Sequence, residues 1–349
     1  MRIAQVAPLY EATPPRTYGG TERVVAYLTD ALVELGHDVT LFASADAKTK
    51  AHLFPARDQS FRLDPCPLKS DVAAHLAMLY DVRRHFGDFD VLHFHLEPLH
   101  YPVFEGRSQR TLTTLHGRLD LKDIPGLYER WRDFPLVSIS NSQRLPLPTA
   151  NWAGTVYHGL PEELLRFSPD HGEYLAFLGR ISPEKRPDRA VAIARAMGMP
   201  LKIAAKVDEV DKAYFRAEIQ PLMDTPLVEF VGEISEAEKS ALLGGAAALL
   251  FPIDWPEPFG LVMIEAMACG TPVIAWDRGS VREVIDHGVT GFIVNSEEEA
   301  MEAIRDLHSI DRHRVRNVFE HRFTSHVMAR SYLALYRRLL EGHALACRA

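Results

Sequence analysis

The stretch Trp255–Ala275, WPEPFGLVMIEAMACGTPVIA, reads as a loop, a helix, a sharp stop and a buried strand in direct succession. Pro256 and Pro258 bracket Glu257 and keep it extended, because the residue before a proline avoids the helical region and proline lacks an N–H. A helix is expected to begin near Gly260, with Glu265 about one turn in. Gly270 and then Pro272 end it, and PVIAW follows as an apolar strand. The amides of Phe259, Gly260, Leu261 and Val262, at the positive end of the helix dipole, suit an anion such as a phosphate. The carboxylates of Glu257 and Glu265 suit hydroxyl donors. Phosphate and hydroxyls together describe a sugar nucleotide.

The same alternation runs through the whole chain. Strand-like runs are expected at 3–7, 38–43, 90–94, 110–115, 136–140, 174–179, 201–205, 227–232, 248–252, 272–276 and 291–294, with helical periods between them at 22–35, 187–197 and 297–308. Strands buried on both faces and alternating with helices imply an α/β fold with doubly wound parallel sheets. Ligands of such sheets lie beyond the carboxyl ends of the strands. The polar segment GLPEELLRFSPDHGEY (159–174) separates two strand–helix series. It divides the chain into a first domain over 1–160, a second over 161–324 and a closing helix within 325–349.

Composition narrows the function. The chain has 349 residues, 47% hydrophobic and 25% charged, the make-up of an ordinary globular protein. A net charge of −8 argues against a nucleic-acid partner, which needs a basic surface. No apolar run is long enough for an integral membrane segment, and MRIAQVAPLY reads as a buried strand rather than a signal peptide. Cys66, Cys269 and Cys347 form no C-x-x-C pattern, so neither disulfides nor structural zinc are expected, and a cytoplasmic location is the default.

Three further places could carry chemistry. Gly19 and Gly20 follow the first strand, where a backbone without Cβ can approach a ligand, with Thr21 as a possible helix cap. Arg180 and Lys185 stand just past the strand at 174–179, near a helix start where the dipole disfavours cations, so an anion is the expected partner. His116 ends the strand at 110–115. His93 and His95 share a strand face, but no third metal ligand is near, and no D-x-D suggests a divalent ion. Asn141 and Ser142 could cap a helix. The loops 44–70 and 97–108 have no interpretable motif.

E-P-F-G-L-V-M-I-E (257–265), with AMACGTPVIA after it, resembles the E-x7-E segment of the retaining glycosyltransferases of family 4. YGGTERVV (18–25), DVLHFH (90–95), TLHG (114–117), SISNSQR (138–144), FLGRISPEK (177–185) and EVIDHGVTGFIV (283–294) fall in the family's order. The resemblance implies a GT-B fold, two Rossmann-like domains with the active site in the cleft between them and the last helix crossing back to the first domain. It implies metal-independent transfer of a sugar from a nucleoside-diphosphate sugar to a hydroxyl acceptor, with no other cofactor. It also assigns roles. Gly19 and Gly20 would lie at the diphosphate, and Arg180 and Lys185 would stabilise the leaving diphosphate. Glu257 would hold the sugar and Glu265 the ribose. His116 would meet a hydroxyl of the transferred sugar, with His95 near the acceptor side. The family has a double glycine where this chain has Gly279-Ser280, and Asn-Gly where it has His158-Gly159. The alternative reading is a sugar-nucleotide-binding protein without turnover, a sensor or assembly partner.

Overall fold

A computed structural model describes residues 1–16 and 19–346. Tyr18 of the YGGTERVV motif and Cys347 lie outside the described residues. The chain divides into two units, one of residues 1–161 together with the segment from 325 on, the other of residues 162–324.

In the first unit seven parallel strands form one sheet. They are Arg2–Val6 (β1), Asp38–Ser44 (β2), His52–Arg57 (β3), Val91–Phe94 (β4), Thr111–Thr114 (β5), Leu136–Ser138 (β6) and Trp152–Thr155 (β7), in the order β3-β2-β1-β4-β5-β6-β7. The chain winds outward from β1 to β3, then returns to lay β4 against the other side of β1. That reversal opens a crevice at the carboxyl ends of β1 and β4, the usual ligand position of such sheets. Gln5 on β1 stands in register with His93 on β4. The closing helix Ser325–Ala346 belongs to this unit and buries Tyr332 and Tyr336 completely, while Arg330, Arg337 and Arg338 are exposed.

Two strands were not expected. β3 lies in the segment 44–70 that reads as loop, and β7 lies in WAGT. Both are edge strands of partly exposed residues. An edge strand needs no apolar run, and it tolerates Pro55 because one side of its backbone has no strand to bond.

The second unit repeats the arrangement with Tyr174–Arg180 (β8), Leu201–Lys206 (β9), Val228–Gly232 (β10), Ala246–Phe251 (β11), Val273–Trp276 (β12) and Gly291–Val294 (β13). The order is β10-β9-β8-β11-β12-β13, again all parallel. Its reversal falls between β8 and β11. The segments that leave those two strands are 181–186 and 252–260, which carry Lys185 and Glu257, with Arg180 at the tip of β8.

Candidate active site

Arg180 is the last residue of β8, and Lys185 closes a single 3-10 turn, Pro183–Lys185, before the helix Pro187–Met197. The two segments at the reversal are joined directly. The amide of Asp254 donates to the carbonyl of Glu184 at 2.8 Å. The Lys185 ammonium is ion-paired with the Glu257 carboxylate. The indole of Trp255 donates to the same Glu257 oxygen at 3.1 Å, and the ammonium lies 4.8 Å from the Trp255 ring centre. Arg180 is paired with Glu184 and has Asp208 and Asp211 at 3.7 and 3.8 Å. Both cations are therefore neutralised locally by acids, and a negative ligand would have to compete for them.

Glu257 owes its position to residues more than twenty places further on. A Cβ on Gly279, whose φ is +57°, would meet the Glu257 backbone oxygen at 2.3 Å. Ser280 follows in the ordinary right-handed region. Its amide donates to the Glu257 carbonyl at 3.0 Å and its hydroxyl to the Phe259 carbonyl at 2.8 Å. The departure from a double glycine thus adds a hydroxyl clamp on the loop, and only the first glycine is required. The helix Leu261–Ala268 then starts from Gly260 in the left-handed region, φ +79°, where an added Cβ would sit 2.8 Å from Met263 and 3.4 Å from Cγ of Glu257. Glu257 therefore folds back against the helix start, where the amides of Leu261 and Val262 have no carbonyl one turn earlier to bond.

Glu265 is 2% exposed, and one of its oxygens accepts from Lys239 Nζ at 2.7 Å. Lys239, itself 5% exposed, comes from the helix Glu236–Gly244 and also pairs with Glu236. Sequence reading missed this cation. A lysine on an acid-opened helix has no local mark that distinguishes it from a solvated one.

In the first unit His116 follows β5 and is held from three directions. Oε1 of Glu97 accepts the amides of His116 and Gly117 at 2.9 and 3.1 Å. Glu97 adopts φ +49°, a strained backbone for a residue with a side chain. Gln143 donates to the carbonyls of Leu115 and Gly117 at 2.9 and 2.8 Å. The ring of His116 bonds through Nε2 to Nδ1 of His95 at 2.9 Å and stacks on His158 at 5.3 Å. Burial pushes the His116 imidazole down to about 3, and that of His95 well below its ordinary value, so both rings are neutral. His95 is 2% exposed and bonds through its two ring nitrogens to His116 and Gln5, so it stands behind His116. Gln143 lies in the SISNSQR motif, where Ser140, and not Asn141, caps the short helix by accepting from the Gln143 amide at 3.0 Å.

The glycine pair differs from expectation in detail. Gly20, and not Thr21, occupies the cap position of the helix Thr21–Glu34. It adopts right-handed helical angles and makes no side-chain cap. Gly19 is the constrained one, since an added Cβ would lie 2.9 Å from Pro15. Next to them Glu22 is 5% exposed, and burial lifts its carboxyl to about 7. Among the described residues no group of His, Cys, Asp or Glu is arranged to hold a metal ion, and no helix is long and apolar enough to cross a membrane.

Comparisons with known proteins agree with the two-sheet fold. Residues 18–151 match the family described as Glycosyltransferase Family 4, and residues 166–319 match Glycosyl transferases group 1. The chain is 28% identical over 331 residues to a phosphatidyl-myo-inositol mannosyltransferase of Mycobacterium leprae, covering 86% of this chain and 85% of the relative. Among solved structures it is similar to a glycosyltransferase involved in avilamycin A biosynthesis. The TM-score is 0.75, identity 23%, and coverage 98% of both chains. It is also similar to a sucrose-phosphate synthase from Thermosynechococcus elongatus, with TM-score 0.79, identity 19%, and coverage of 98% of this chain and 99% of that one.

Proposed function

The chain belongs to the family 4 glycosyltransferases, of GT-B fold, and from that premise we propose that it transfers a hexosyl group from a nucleoside-diphosphate sugar to a hydroxyl acceptor, with retention and without a divalent metal. The observation that carries this reading is the Lys185–Glu257 pair, which sets a cation and a hydroxyl acceptor side by side at the strand reversal, against the start of the helix Leu261–Ala268.

As the donor binds, phosphate oxygens take over Lys185 and Arg180, while sugar hydroxyls donate to Glu257. The ribose hydroxyls donate to Glu265, whose buried charge Lys239 balances. His116 meets a hydroxyl of the sugar, and the backbone at Gly19 and Gly20 approaches the diphosphate. In the reaction the bond from the anomeric carbon to the phosphate oxygen breaks with its electron pair leaving on the diphosphate. The acceptor oxygen bonds to the same face of the sugar, and its proton passes to the departing phosphate. Negative charge grows on the leaving group, so fixed cations there stabilise the transition state more than the ground state. The remaining contribution is positioning.

The test is thermal stability with UDP, GDP, ADP and their common sugar conjugates in EDTA, for wild type and Arg180→Ala. A ligand at about a hundred times its dissociation constant adds roughly 2.7 kcal/mol. Stabilisation by one nucleotide, lost in the variant, supports the reading. No shift with any of them defeats the donor site, and a shift that needs magnesium defeats metal independence.

A further inference from the structure

The imidazole of His116 ends a chain of side-chain hydrogen bonds that begins in the middle of the first unit's sheet. Gln5 is a polar residue in the central strand β1, wholly buried. Its Oε1 lies 2.9 Å from Nε2 of His95, whose Nδ1 lies 2.9 Å from Nε2 of His116. Nδ1 of His116 is buried and has no hydrogen-bond partner among the described residues.

The direction of the chain follows from donor chemistry. An amide oxygen only accepts, so Nε2 of His95 carries the proton. A neutral imidazole with one protonated nitrogen offers the other as an acceptor, so Nδ1 of His95 accepts from Nε2–H of His116. Nδ1 of His116 is then left with a bare lone pair. The other end of Gln5 fits the same orientation. Its Nε2 donates to the Tyr336 hydroxyl at 3.0 Å, and that hydroxyl lies 2.7 Å from Nδ1 of His93. Nε2 of His93 then donates to Thr114 at 2.7 Å, and Thr114 lies 2.9 Å from the Tyr332 hydroxyl. Each of these bonds then joins one donor to one acceptor, and no group needs to be charged.

We propose that Gln5 is a positioning residue that fixes the tautomer of His116, so that Nδ1 accepts a hydrogen bond from a hydroxyl of the substrate. Naming the substrate hydroxyl rests on the glycosyltransferase reading above; the tautomer does not. The arrangement makes His116 an acceptor that cannot switch to donor unless Gln5 and His95 both reverse, which excludes a sugar position that offers only an acceptor there. The titratable groups facing the His116 ring are His95, His93 and His158, with Glu97 bonded to its backbone. Burial favours the neutral form of each imidazole.

The experiment is nitrogen-15 NMR of histidine-labelled full-length protein from pH 5 to 8, with His116 assigned by its loss in His116→Asn. Wild type is expected to show His116 protonated at Nε2 alone and unchanged across that range. In Gln5→Leu the fixed direction is lost and His116 populates both tautomers. Gln5→Met, of similar length but without a hydrogen-bonding end, serves if the leucine variant does not fold and is expected to populate both tautomers. Gln5→Glu, still an acceptor toward His95, is expected to keep the wild-type signal. A wild-type His116 protonated at Nδ1, or an Nε2 tautomer unaltered in folded Gln5→Leu or folded Gln5→Met, overturns the proposal. Full turnover in His116→Asn would instead defeat the assignment of His116 to the substrate and leave the tautomer result standing.

Discussion

The ammonium of Lys185 is bonded to the carboxylate of Glu257, 72 residues further along the chain, and Trp255 meets both, its ring under the ammonium and its indole N–H donating to the carboxylate. On the proposed function, the cation that takes phosphate and the carboxylate that takes hydroxyls hold one another until a donor separates them. The pair keeps both side chains ordered, so less conformational entropy is lost when the donor arrives.

Lys185→Ala is expected to lower kcat by about 10²–10³-fold, the usual cost of removing one donor to developing negative charge. Steady-state kinetics with the donor identified by thermal shift checks this. An unchanged kcat removes Lys185 from the leaving-group site.

Glu257→Gln keeps the shape of the loop but removes the charge. The nucleoside diphosphate alone is expected to bind as well as before or better, because Lys185 is released from its partner. The nucleotide sugar loses its advantage over the bare nucleotide. Calorimetry with both ligands measures the difference, and equal losses for the two ligands contradict a sugar-holding Glu257.

Gly279→Ala places a methyl 2.3 Å from the Glu257 carbonyl oxygen. The contact is backbone, so the loop must move. The expected cost is about 1–3 kcal/mol in urea unfolding, with loss of donor binding. Ser280→Gly, which removes only the clamp on Phe259, is expected to weaken donor binding with a smaller loss of stability.

Lys239→Met leaves the Glu265 carboxylate buried without its cation, which costs about 3–5 kcal/mol. The double variant Lys239→Met with Glu265→Leu is expected to recover most of that stability and none of the donor binding. Urea denaturation of the single and double variants separates the two effects.

Stability is expected to depend on Glu22. Burial raises its carboxyl from 4.5 to about 7, so between those values the folded chain keeps a proton that the unfolded chain has released. Its contribution is complete below about 4.5, declines as pH rises and is gone above about 7. The difference corresponds to roughly 3 kcal/mol. Glu22→Gln should flatten this part of the pH profile and be the more stable protein at pH 8. An unchanged slope between pH 5 and 7 would show that the carboxyl is not buried in solution.

The sequence by itself determined the two doubly wound sheets and the loop–helix segment at 255–275. Central strands buried on both faces are short runs rich in apolar and β-branched residues, and prolines, glycines and helix starts act on their immediate neighbours. It also named Arg180, Lys185, Glu257, Glu265 and His116 as candidates, from residue type and place beside an element's end. A second signal was present in β1, where Gln5 interrupts an apolar strand and a buried polar group demands a partner. Only the tertiary structure decided the partners: Lys185 with Glu257, Lys239 with Glu265, Gln5 with His95 and His116, Glu97 and Gln143 around the turn at His116, Ser280 on the Glu257 loop. It alone decided the edge strands β3 and β7 as well. These depend on which strands become neighbours and in what register, and that is settled by crossovers that bring together residues tens of positions apart. No local pattern in the chain records the distance between them.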